Sequence, residues 1–265
     1  MLKAWKKPFL PLITRLGKSR EARLFSEAPI LIGGCGRSGT TLLLSMLSAH
    51  KDLFAIPKEL GLFNGVERGP EGRLQSARID RLYFSLLRYS IPASAKRWCE
   101  KSPSNVTQIQ AIDEHFKGRF KLIHIVRDGR DVVLSIHPTD KTKYWVEPSR
   151  WVHDVQKGLD FIDHPNVHTI KYEDLLLDYS TVMEGITQFL SLDFSHELQQ
   201  WHEHATVRRN RAYFSEVGKI QTKSIGKWKQ TKDQERVEQL YAEPGALELL
   251  QRLGYEVPDD HSIKE

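Results

Sequence analysis

Residues 29–47 read PILIGGCGRSGTTLLLSML, an apolar run that passes through a glycine-rich turn into a second apolar run. Residues 29–34 predict a buried strand, and residues 40–50 predict a helix. In this strand–loop–helix context, backbone N–H groups turn inward around an anion and the helix N-terminus adds partial positive charge. The stretch therefore predicts a phosphate-binding loop, which we define as residues 34–41.

The side chains of this loop favour an anion as well. Arg37 supplies a cation, and Ser38, Thr40 and Thr41 supply hydroxyl groups. The strict nucleotide-binding pattern G-x-x-x-x-G-K-[ST] places Lys where this chain has Thr40, so that pattern is absent. The alternative role for the hydroxyl groups is capping of the helix N-terminus.

A second candidate anion site follows another predicted strand, residues 120–126 (FKLIHIV). Arg127 stands at the carboxyl end of that strand, and Ser135 lies about two helical turns further on. Arginine offers a bidentate charged fork and serine a hydroxyl donor, so the two can bind one phosphate from different sides. The alternative is an Arg–Asp network in which Arg130 pairs with Asp128 or Asp131.

The remaining pattern indicates an α/β domain. Further strands are predicted at residues 97–100 and 167–171, and helices at residues 73–90, 105–116, 129–136 and 179–190. Strands that alternate with helices predict a parallel sheet covered on both faces. Ligands of such sheets bind beyond the carboxyl ends of the strands, which here are Gly34 and Val126.

Composition limits the class of protein. The 265 residues are 40% hydrophobic and carry a net charge of +5, which is ordinary for a globular chain. No apolar run approaches the ~20 residues of a membrane span. The first residues contain no unbroken apolar stretch, so no secretory signal is predicted. Two cysteines cannot form a disulfide scaffold, and we expect a cytoplasmic location.

The positive charge is concentrated at the N-terminus. Residues 1–26 contain seven Lys or Arg and one Glu, a net charge of +6, which leaves −1 for the rest of the chain. We expect residues 1–26 to form a basic segment and residues 27–265 the domain. The segment can contact an acidic partner or an anionic membrane surface, or remain a solvated leader. Residues 206–230 also carry a net charge of +6.

Taken together, the motifs resemble the sulfotransferases that use 3′-phosphoadenosine-5′-phosphosulfate (PAPS), and their style is that of the carbohydrate and tyrosylprotein branches. The likeness includes the phosphate loop, RDGRDVVLS at 127–135, EKSPSN at 100–105, YEDL at 172–175 and SIGKW at 224–228. It covers most of residues 29–230 in order. It implies a three-layer α/β fold, a parallel sheet flanked by helices, related to P-loop nucleoside triphosphate hydrolases.

The resemblance also implies a nucleotide site. The 5′-phosphosulfate would be held by Gly36, Arg37, Ser38, Gly39, Thr40 and Thr41. The 3′-phosphate would be held by Arg127 and Ser135. Ser224 and Lys227 belong to a segment that folds over the nucleotide in the family, although here they can equally form a solvated basic helix end. PAPS would be the co-substrate, adenosine 3′,5′-bisphosphate the product, and no metal is expected.

For the reaction, the resemblance assigns Lys101, assisted by Arg37, to the charge that develops on the bridging oxygen. The His that serves as base in the hormone-sulfating branch is replaced by Pro103. In the tyrosylprotein and glycosaminoglycan branches the base is a Glu shortly after the first helix, which favours Glu59. Strict spacing to the tyrosylprotein branch selects Lys58 instead, so Glu59 requires a one-residue insertion.

The acceptor would bear a hydroxyl or amine group, as a glycan, a small metabolite or a protein tyrosine does, and no nucleic-acid partner is expected. Trp145, Trp151 and His153 fall where the family often places acceptor contacts, with core packing as the alternative. Two other functions stay open at this point. One is an ATP-dependent small-molecule kinase of P-loop type, and the other is a nucleotide-binding module without catalysis.

Overall fold

The computed structural model of the protein describes residues 10–137, 139–208, 220 and 222–258. Within these residues the strands are β1 Ile30–Gly33, β2 Leu53–Ala55, β3 Val66–Arg68, β4 Leu74–Ser76, β5 Arg97–Lys101, β6 Lys121–Val126 and β7 Val167–Lys171. Five of them form a parallel sheet in the order β2-β5-β1-β6-β7, and β3 and β4 form a separate antiparallel pair.

Helices cover both faces of this sheet. They are α1 Leu10–Leu24, α2 Thr40–Leu47, α3 Asp80–Arg88, α4 Ile109–Phe116, α5 Gly129–Val133, α6 Pro148–Leu159, α7 Tyr172–Leu177, α8 Tyr179–Leu190, α9 His196–Gln199, α10 Trp201–His204, α11 Gln234–Tyr241 and α12 Ala246–Arg252. Short 3₁₀ helices occupy Pro103–Gln108, Thr222–Ser224 and Lys227–Gln230.

The core follows the alternation of side chains along β1, where neighbouring residues point to opposite faces of the sheet. Ile30 and Ile32 pack into a cluster that includes α2, α7 and α8, whereas Leu31 packs into a cluster that includes α3 and α4. A third cluster joins α5, α6 and α12. The predicted three-layer α/β fold is confirmed.

The prediction of one helix over residues 73–90 is wrong in its first part. Leu74–Ser76 forms strand β4, and α3 begins only at Asp80. The reason is non-local, because the N–H groups of Leu74 and Ser76 donate to Glu114 Oε2 (2.6 Å) and His115 Nδ1 (3.2 Å) on α4. Helix α4 therefore holds this segment in an extended conformation.

Two other predicted helices differ at their ends. The prediction for residues 105–116 begins as the 3₁₀ helix Pro103–Gln108 and becomes α-helical at Ile109. The prediction for residues 129–136 stops at Val133, because Ile136 forms a bridge with Tyr144 instead. The strands predicted at residues 29–34, 97–100, 120–126 and 167–171 are confirmed to within one residue at each end.

Helix α1, from the basic N-terminal segment, packs on α3. Gly17 is buried against Tyr83, and a Cβ atom placed on Gly17 would lie 2.2 Å from Tyr83 Cβ. Arg20 donates to the backbone carbonyl groups of Leu87 (3.4 Å) and Tyr89 (3.1 Å). The predicted boundary between residues 26 and 27 falls in the connection from α1 to β1, which stays a prediction as a domain limit.

Gly17 gives a test of this packing. We expect Gly17→Ala to lower the free energy of unfolding by about 1–3 kcal/mol, because the added methyl group overlaps Tyr83 and separates α1 from α3. The measurement is urea unfolding followed by circular dichroism. Gly185→Ala is the matched control, since Gly185 lies in α8 with open space around it, and it should gain about 0.5–1 kcal/mol. Equal stability of the two variants would contradict the close helix contact.

Candidate functional site

The candidate site lies where three neighbouring strands end. Strand β1 is paired in parallel with β5 on one side and with β6 on the other. Lys101 is the last residue of β5, the phosphate loop follows β1, and Arg127 follows β6. The two anion sites predicted from separate parts of the sequence therefore lie side by side at the carboxyl edge of the sheet.

The phosphate loop has the backbone conformation of an anion cradle. Gly39 adopts φ 96° immediately before α2, and a Cβ atom there would lie 2.3 Å from the Tyr172 ring. Only glycine meets both demands, the positive φ and the close approach of the ring. Arg37 also has a positive φ of 71°. A non-glycine residue in this conformation is strained and is typical of functional sites.

The hydroxyl groups of the loop do not cap α2. Its N-cap position is Gly39, with no side-chain hydrogen bond. Ser38, Thr40 and Thr41 are all buried, and the Oγ atom of Ser38 has no hydrogen-bond partner among the described residues. A buried hydroxyl without a partner costs free energy. The burial and the unpaired oxygen favour the anion-binding role over the capping role.

Arg127 lies between the phosphate loop and a later part of the chain. Its guanidinium donates to the backbone carbonyl of Arg37 (3.0 Å) and to that of Ser224. The Nε atom is buried and has no hydrogen-bond partner within the part of the chain that the structure describes. Ser135, the predicted companion, donates its hydroxyl to the carbonyl of Asp131 (3.3 Å). An unpaired buried N–H beside the loop is a further position for an anion.

The alternative network of Arg130 is present too. The Arg130 guanidinium binds both carboxylate oxygens of Asp128, with Nε–Oδ1 2.9 Å and Nη2–Oδ2 2.8 Å. The pair is buried, not on the surface. Both arginines have a carboxylate partner, since Arg127 Nη2 lies 3.6 Å from Asp131 Oδ2. They differ in that Arg130 is bound bidentately by Asp128, whereas Arg127 also contacts the loop and has an Nε without a partner among the described residues.

Residues 222–230, which we call the cover segment, are held to the end of β6. The Asp131 carboxylate accepts from the backbone N–H groups of Gly226 (2.8 Å) and Trp228 (3.0 Å). The Trp228 ring stacks on the Arg130 guanidinium, with 3.8 Å from Cζ to the ring centroid. Ser224 therefore lies at the site, whereas the Lys227 side chain is exposed. Arg209, Arg211 and Lys219 of the predicted basic stretch lie outside the described residues.

Tyr172 contacts the phosphate loop, Arg127 and the cover segment. Its ring packs against Gly39 of the loop and lies 4.6 Å from the Arg127 guanidinium. Its hydroxyl lies 2.8 Å from Ser224 Oγ of the cover segment. Nothing local in the YEDL motif indicates these distant contacts, so the sequence does not predict this role of Tyr172.

The predicted catalytic pair comes together at the end of β5. Lys101 Nζ donates to Glu59 Oε1 in an ion pair. The Lys101 side chain is 1% exposed, whereas that of Glu59 is 42% exposed. A buried ammonium group therefore has its counter-charge on a side chain that solvent, and an acceptor, can reach. Lys58, the alternative from strict spacing, is exposed.

Glu100 and Ser102 bind the backbone of the two residues that follow Glu59. Glu100 Oε1 accepts from Leu60 N (2.9 Å), and Ser102 Oγ accepts from Gly61 N (2.9 Å). Arg81 donates to the Leu60 carbonyl (2.7 Å), so both polar groups of that residue are bound. These contacts fix the chain directly after Glu59 relative to β5, the strand that carries Lys101.

The Glu100 carboxylate is completely buried and fully hydrogen-bonded. Besides Leu60 N, it accepts from Ser102 Oγ (2.6 Å) and Asn105 Nδ2 (3.0 Å). Burial raises the pKa of this carboxyl above its ordinary value. This role of Glu100 was not predicted, although an acidic residue inside a predicted buried strand is itself an unusual signal.

Glu173 has the corresponding position beside β6. Its carboxylate accepts from Asp128 N (3.0 Å) and from the Tyr255 hydroxyl (2.8 Å). Burial raises the pKa of this carboxyl as well. Glu173 thus holds the backbone directly after Arg127, as Glu100 holds the backbone directly after Glu59.

The three residues named for acceptor contacts separate in the structure. Trp151 is fully buried, and its Nε1 donates to the Arg127 carbonyl (3.1 Å), so it is a core residue that supports the backbone of Arg127. Trp145 Nε1 lies 3.1 Å from the position a Cβ atom would take on Gly36, directly over the phosphate loop. His153 is exposed on α6.

Comparison with known proteins identifies the family. The model described as the sulfotransferase family matches residues 29–73 and 67–196, well over half of the chain. The chain belongs to the sulfotransferase family. The predicted family is thereby confirmed, as is the predicted enzyme class, a sulfotransferase.

Relatives and solved structures agree with this assignment. Protein-tyrosine sulfotransferase A of Caenorhabditis elegans is 25% identical over 258 residues, with 86% of this chain and 67% of that protein covered. Protein-tyrosine sulfotransferase of Drosophila melanogaster is 28% identical over 218 residues, with 72% of this chain but only 43% of that protein covered. The tyrosylprotein style of the motifs is therefore supported at family level.

Solved structures establish the fold. The sulfotransferase domain from the Synechococcus PCC 7002 olefin synthase has a TM-score of 0.61 at 22% identity, covering 88% of this chain and 97% of that one. Mouse sulfotransferase SULT7A1 complexed with PAP has a TM-score of 0.50 at 16% identity, covering 90% and 94%. The sulfotransferase fold predicted from the motifs is confirmed.

No group of three or more His, Cys, Asp or Glu side chains within the described residues is arranged to hold a metal ion. None of the helices in the described ranges combines the length and apolar character that crossing a bilayer requires.

Asp131 provides a test of the cover segment. We expect Asp131→Ala to speed amide hydrogen exchange at Gly226 and Trp228 about tenfold or more, because both N–H groups lose their acceptor. The measurement is hydrogen–deuterium exchange by mass spectrometry on the free sulfotransferase. Asp178→Ala is the control, since Asp178 accepts a backbone N–H from Thr181 at the start of α8. Unchanged exchange in the cover segment of Asp131→Ala would show that another contact holds it.

Proposed function

We propose that this sulfotransferase moves a sulfuryl group from PAPS to a hydroxyl or amine of its acceptor, with Glu59 as the general base. The observation that carries the proposal is the ion pair between buried Lys101 and accessible Glu59, next to the phosphate loop. General-base catalysis requires a proton acceptor within reach of the attacking group. Glu59 meets this requirement, because its carboxylate is accessible from solvent.

The residues available for the donor fit an anionic nucleotide. Ser38 Oγ and Arg127 Nε are buried polar atoms without partners among the described residues. We assign the 5′ end of PAPS to the loop residues Gly36, Arg37, Ser38, Gly39, Thr40 and Thr41. We assign the 3′-phosphate to Arg127 and Ser135, with Ser224 and Lys227 in the cover segment. That a solved neighbour is complexed with PAP supports a bisphosphate nucleotide as the product.

The chain's own groups account for the proton and the developing charge. Glu59 takes the proton of the acceptor as the new bond from acceptor oxygen or nitrogen to sulfur forms. The bond between sulfur and the bridging phosphate oxygen breaks, and the electron pair remains on that oxygen. Lys101 and Arg37 stabilise this negative charge. Adenosine 3′,5′-bisphosphate is then the leaving group, and every atom and charge is accounted for.

A tyrosine hydroxyl is one candidate acceptor, because two relatives bear the name protein-tyrosine sulfotransferase. A glycan or a small metabolite presents the same reacting hydroxyl group. The acceptor panel for testing therefore contains a tyrosine peptide, an oligosaccharide and a simple phenol.

The proposal predicts that one variant loses nucleotide affinity and that the other keeps nucleotide affinity but loses turnover. We expect Arg127→Ala to weaken binding of adenosine 3′,5′-bisphosphate about 10–100-fold, because a hydrogen bond to a charged group is lost. We expect Glu59→Gln to bind the bisphosphate normally and to lose about 10²–10⁴-fold in turnover, because the base is absent. The measurements are calorimetric titration in EDTA and sulfuryl transfer from radiolabelled PAPS to the best acceptor of the panel.

Each outcome decides one part. If the wild-type protein prefers ATP with magnesium to the bisphosphate in EDTA, the donor assignment is wrong. If Glu59→Gln turns over at the wild-type rate, another group is the base.

The positions of Glu100 and Glu173 lead to a further prediction, in which one variant lowers kcat and the other lowers nucleotide affinity. We expect Glu100→Ala to lower kcat about 10–100-fold with unchanged bisphosphate affinity, because Leu60 N loses its acceptor and the Glu59 backbone shifts. Glu173→Ala, which removes the matched buried carboxylate, should weaken bisphosphate binding instead, because Asp128 N loses its acceptor and Arg127 shifts. Thermal unfolding separates both effects from general loss of structure. Equal effects of the two variants on kcat and on binding would contradict separate positioning roles.

A further inference from the structure

Helix α1 has a face that no other part of the described structure covers. Leu12 and Leu16, one turn apart, are 54% and 50% exposed. The other large exposed hydrophobic side chains of the described residues, Ile136, Ile162 and Leu177, lie in separate parts of the chain. Single exposed apolar residues are normal, so this adjacent pair is the feature that requires an explanation.

The charged side chains on this face are all basic. Arg15, Lys18 and Arg23 are exposed, and helical spacing puts Arg23 in line with Leu12 and Leu16. The one acidic residue of α1, Glu21, is turned inward and accepts from Trp98 Nε1 (2.8 Å). The sequence before the helix adds Lys3, Lys6 and Lys7. The outward side of α1 therefore combines two leucines with cations and has no acidic group.

The direction of α1 brings its first residues toward the catalytic edge of the sheet. Gly17 touches Tyr83, and Arg20, further along α1, donates to the carbonyl groups of Leu87 in α3 and of Tyr89 directly after α3. The second contact therefore lies closer than the first to the carboxyl end of each helix.

Helix α3 starts beside the Glu59 loop, where Arg81 donates to the Leu60 carbonyl. From the Gly17–Tyr83 contact to the Arg20–Leu87 contact, the residue numbers increase on both helices. Helices α1 and α3 therefore run side by side in the same direction. The start of α1, with Leu12, consequently lies toward the start of α3, the end of that helix where Arg81 contacts Leu60.

We propose that this face of α1, formed by Leu12, Arg15, Leu16, Lys18 and Arg23, binds the surface of an anionic lipid bilayer. A helix that presents apolar side chains flanked by cations lies in the plane of the membrane interface, with leucines among the acyl chains and cations at the headgroups. An acidic protein would match the cations but leaves the paired leucines unexplained. Binding would bring the edge of the sheet with Glu59 near the membrane, where a surface-bound acceptor is presented.

The test is co-sedimentation of the full chain with vesicles. We expect binding to vesicles of equal parts phosphatidylcholine and phosphatidylserine, and little binding to phosphatidylcholine alone. Arg15→Gln with Arg23→Gln should weaken the partition coefficient about 30-fold, which corresponds to ~1 kcal/mol per side chain. Leu12→Ser with Leu16→Ser should weaken it about tenfold or more. Raising the salt concentration should weaken wild-type binding, because it screens the cations.

Matched variants elsewhere on the surface serve as controls. Leu177→Ser removes a leucine that is 67% exposed on another helix, and Lys117→Gln with Lys157→Gln removes two exposed charges outside α1. Both should bind vesicles like the wild type. Equal loss in the controls and the α1 variants would overturn the proposal. So would equal binding to neutral vesicles, or binding to immobilised polyaspartate without binding to vesicles, which would indicate an acidic protein partner.

Discussion

Strand β1 is hydrogen-bonded on both sides, to β5 and to β6, and both pairings are parallel. Parallel pairing makes neighbouring strands end at the same edge, so Lys101, the phosphate loop and Arg127 are neighbours although they are far apart in sequence. The register Ile32 with Lys101 and Gly33 with His124 fixes how far each strand reaches. A shift of one residue would turn the Lys101 side chain to the other face of the sheet. The whole site depends on this register.

Two buried carboxylates fix loop segments in position relative to the sheet. Glu100 and Glu173 each accept a backbone N–H from the residue directly after a candidate functional residue. Burial of a carboxylate is costly, and the raised pKa of each carboxyl reflects that cost. Multiple hydrogen bonds offset it and leave little freedom to the segment they hold. Loops are otherwise the mobile parts of an α/β fold.

The sequence predicts the parts of this structure that are local. The four buried strands and the phosphate loop follow from short motifs, and the selection of Glu59 and Lys101 follows from the family likeness, although their ion pair is visible only in the structure. Strand β4 does not, because its extended form is imposed by Glu114 and His115, about 40 residues away. The role of Tyr172 is missed for the same reason. Its contacts with Gly39 and Ser224 exist only after the sheet has formed.

The cations of the site differ in how firmly their counter-charges are fixed. Arg130 is bound bidentately by Asp128, two residues earlier in the chain, and both groups are buried. Lys101 is buried too, but its partner Glu59 reaches it from a loop and is nearly half exposed. A buried charge retains its partner because the cost of separation is high, whereas an exposed carboxylate can exchange that partner for water or another group. In the reaction proposed for this enzyme, Glu59 has to turn to an acceptor proton while Lys101 turns to a leaving oxygen. Solvent can hydrate Glu59 when the pair separates, whereas the buried Lys101 needs the leaving oxygen as its new counter-charge, so the two exchanges have to occur together.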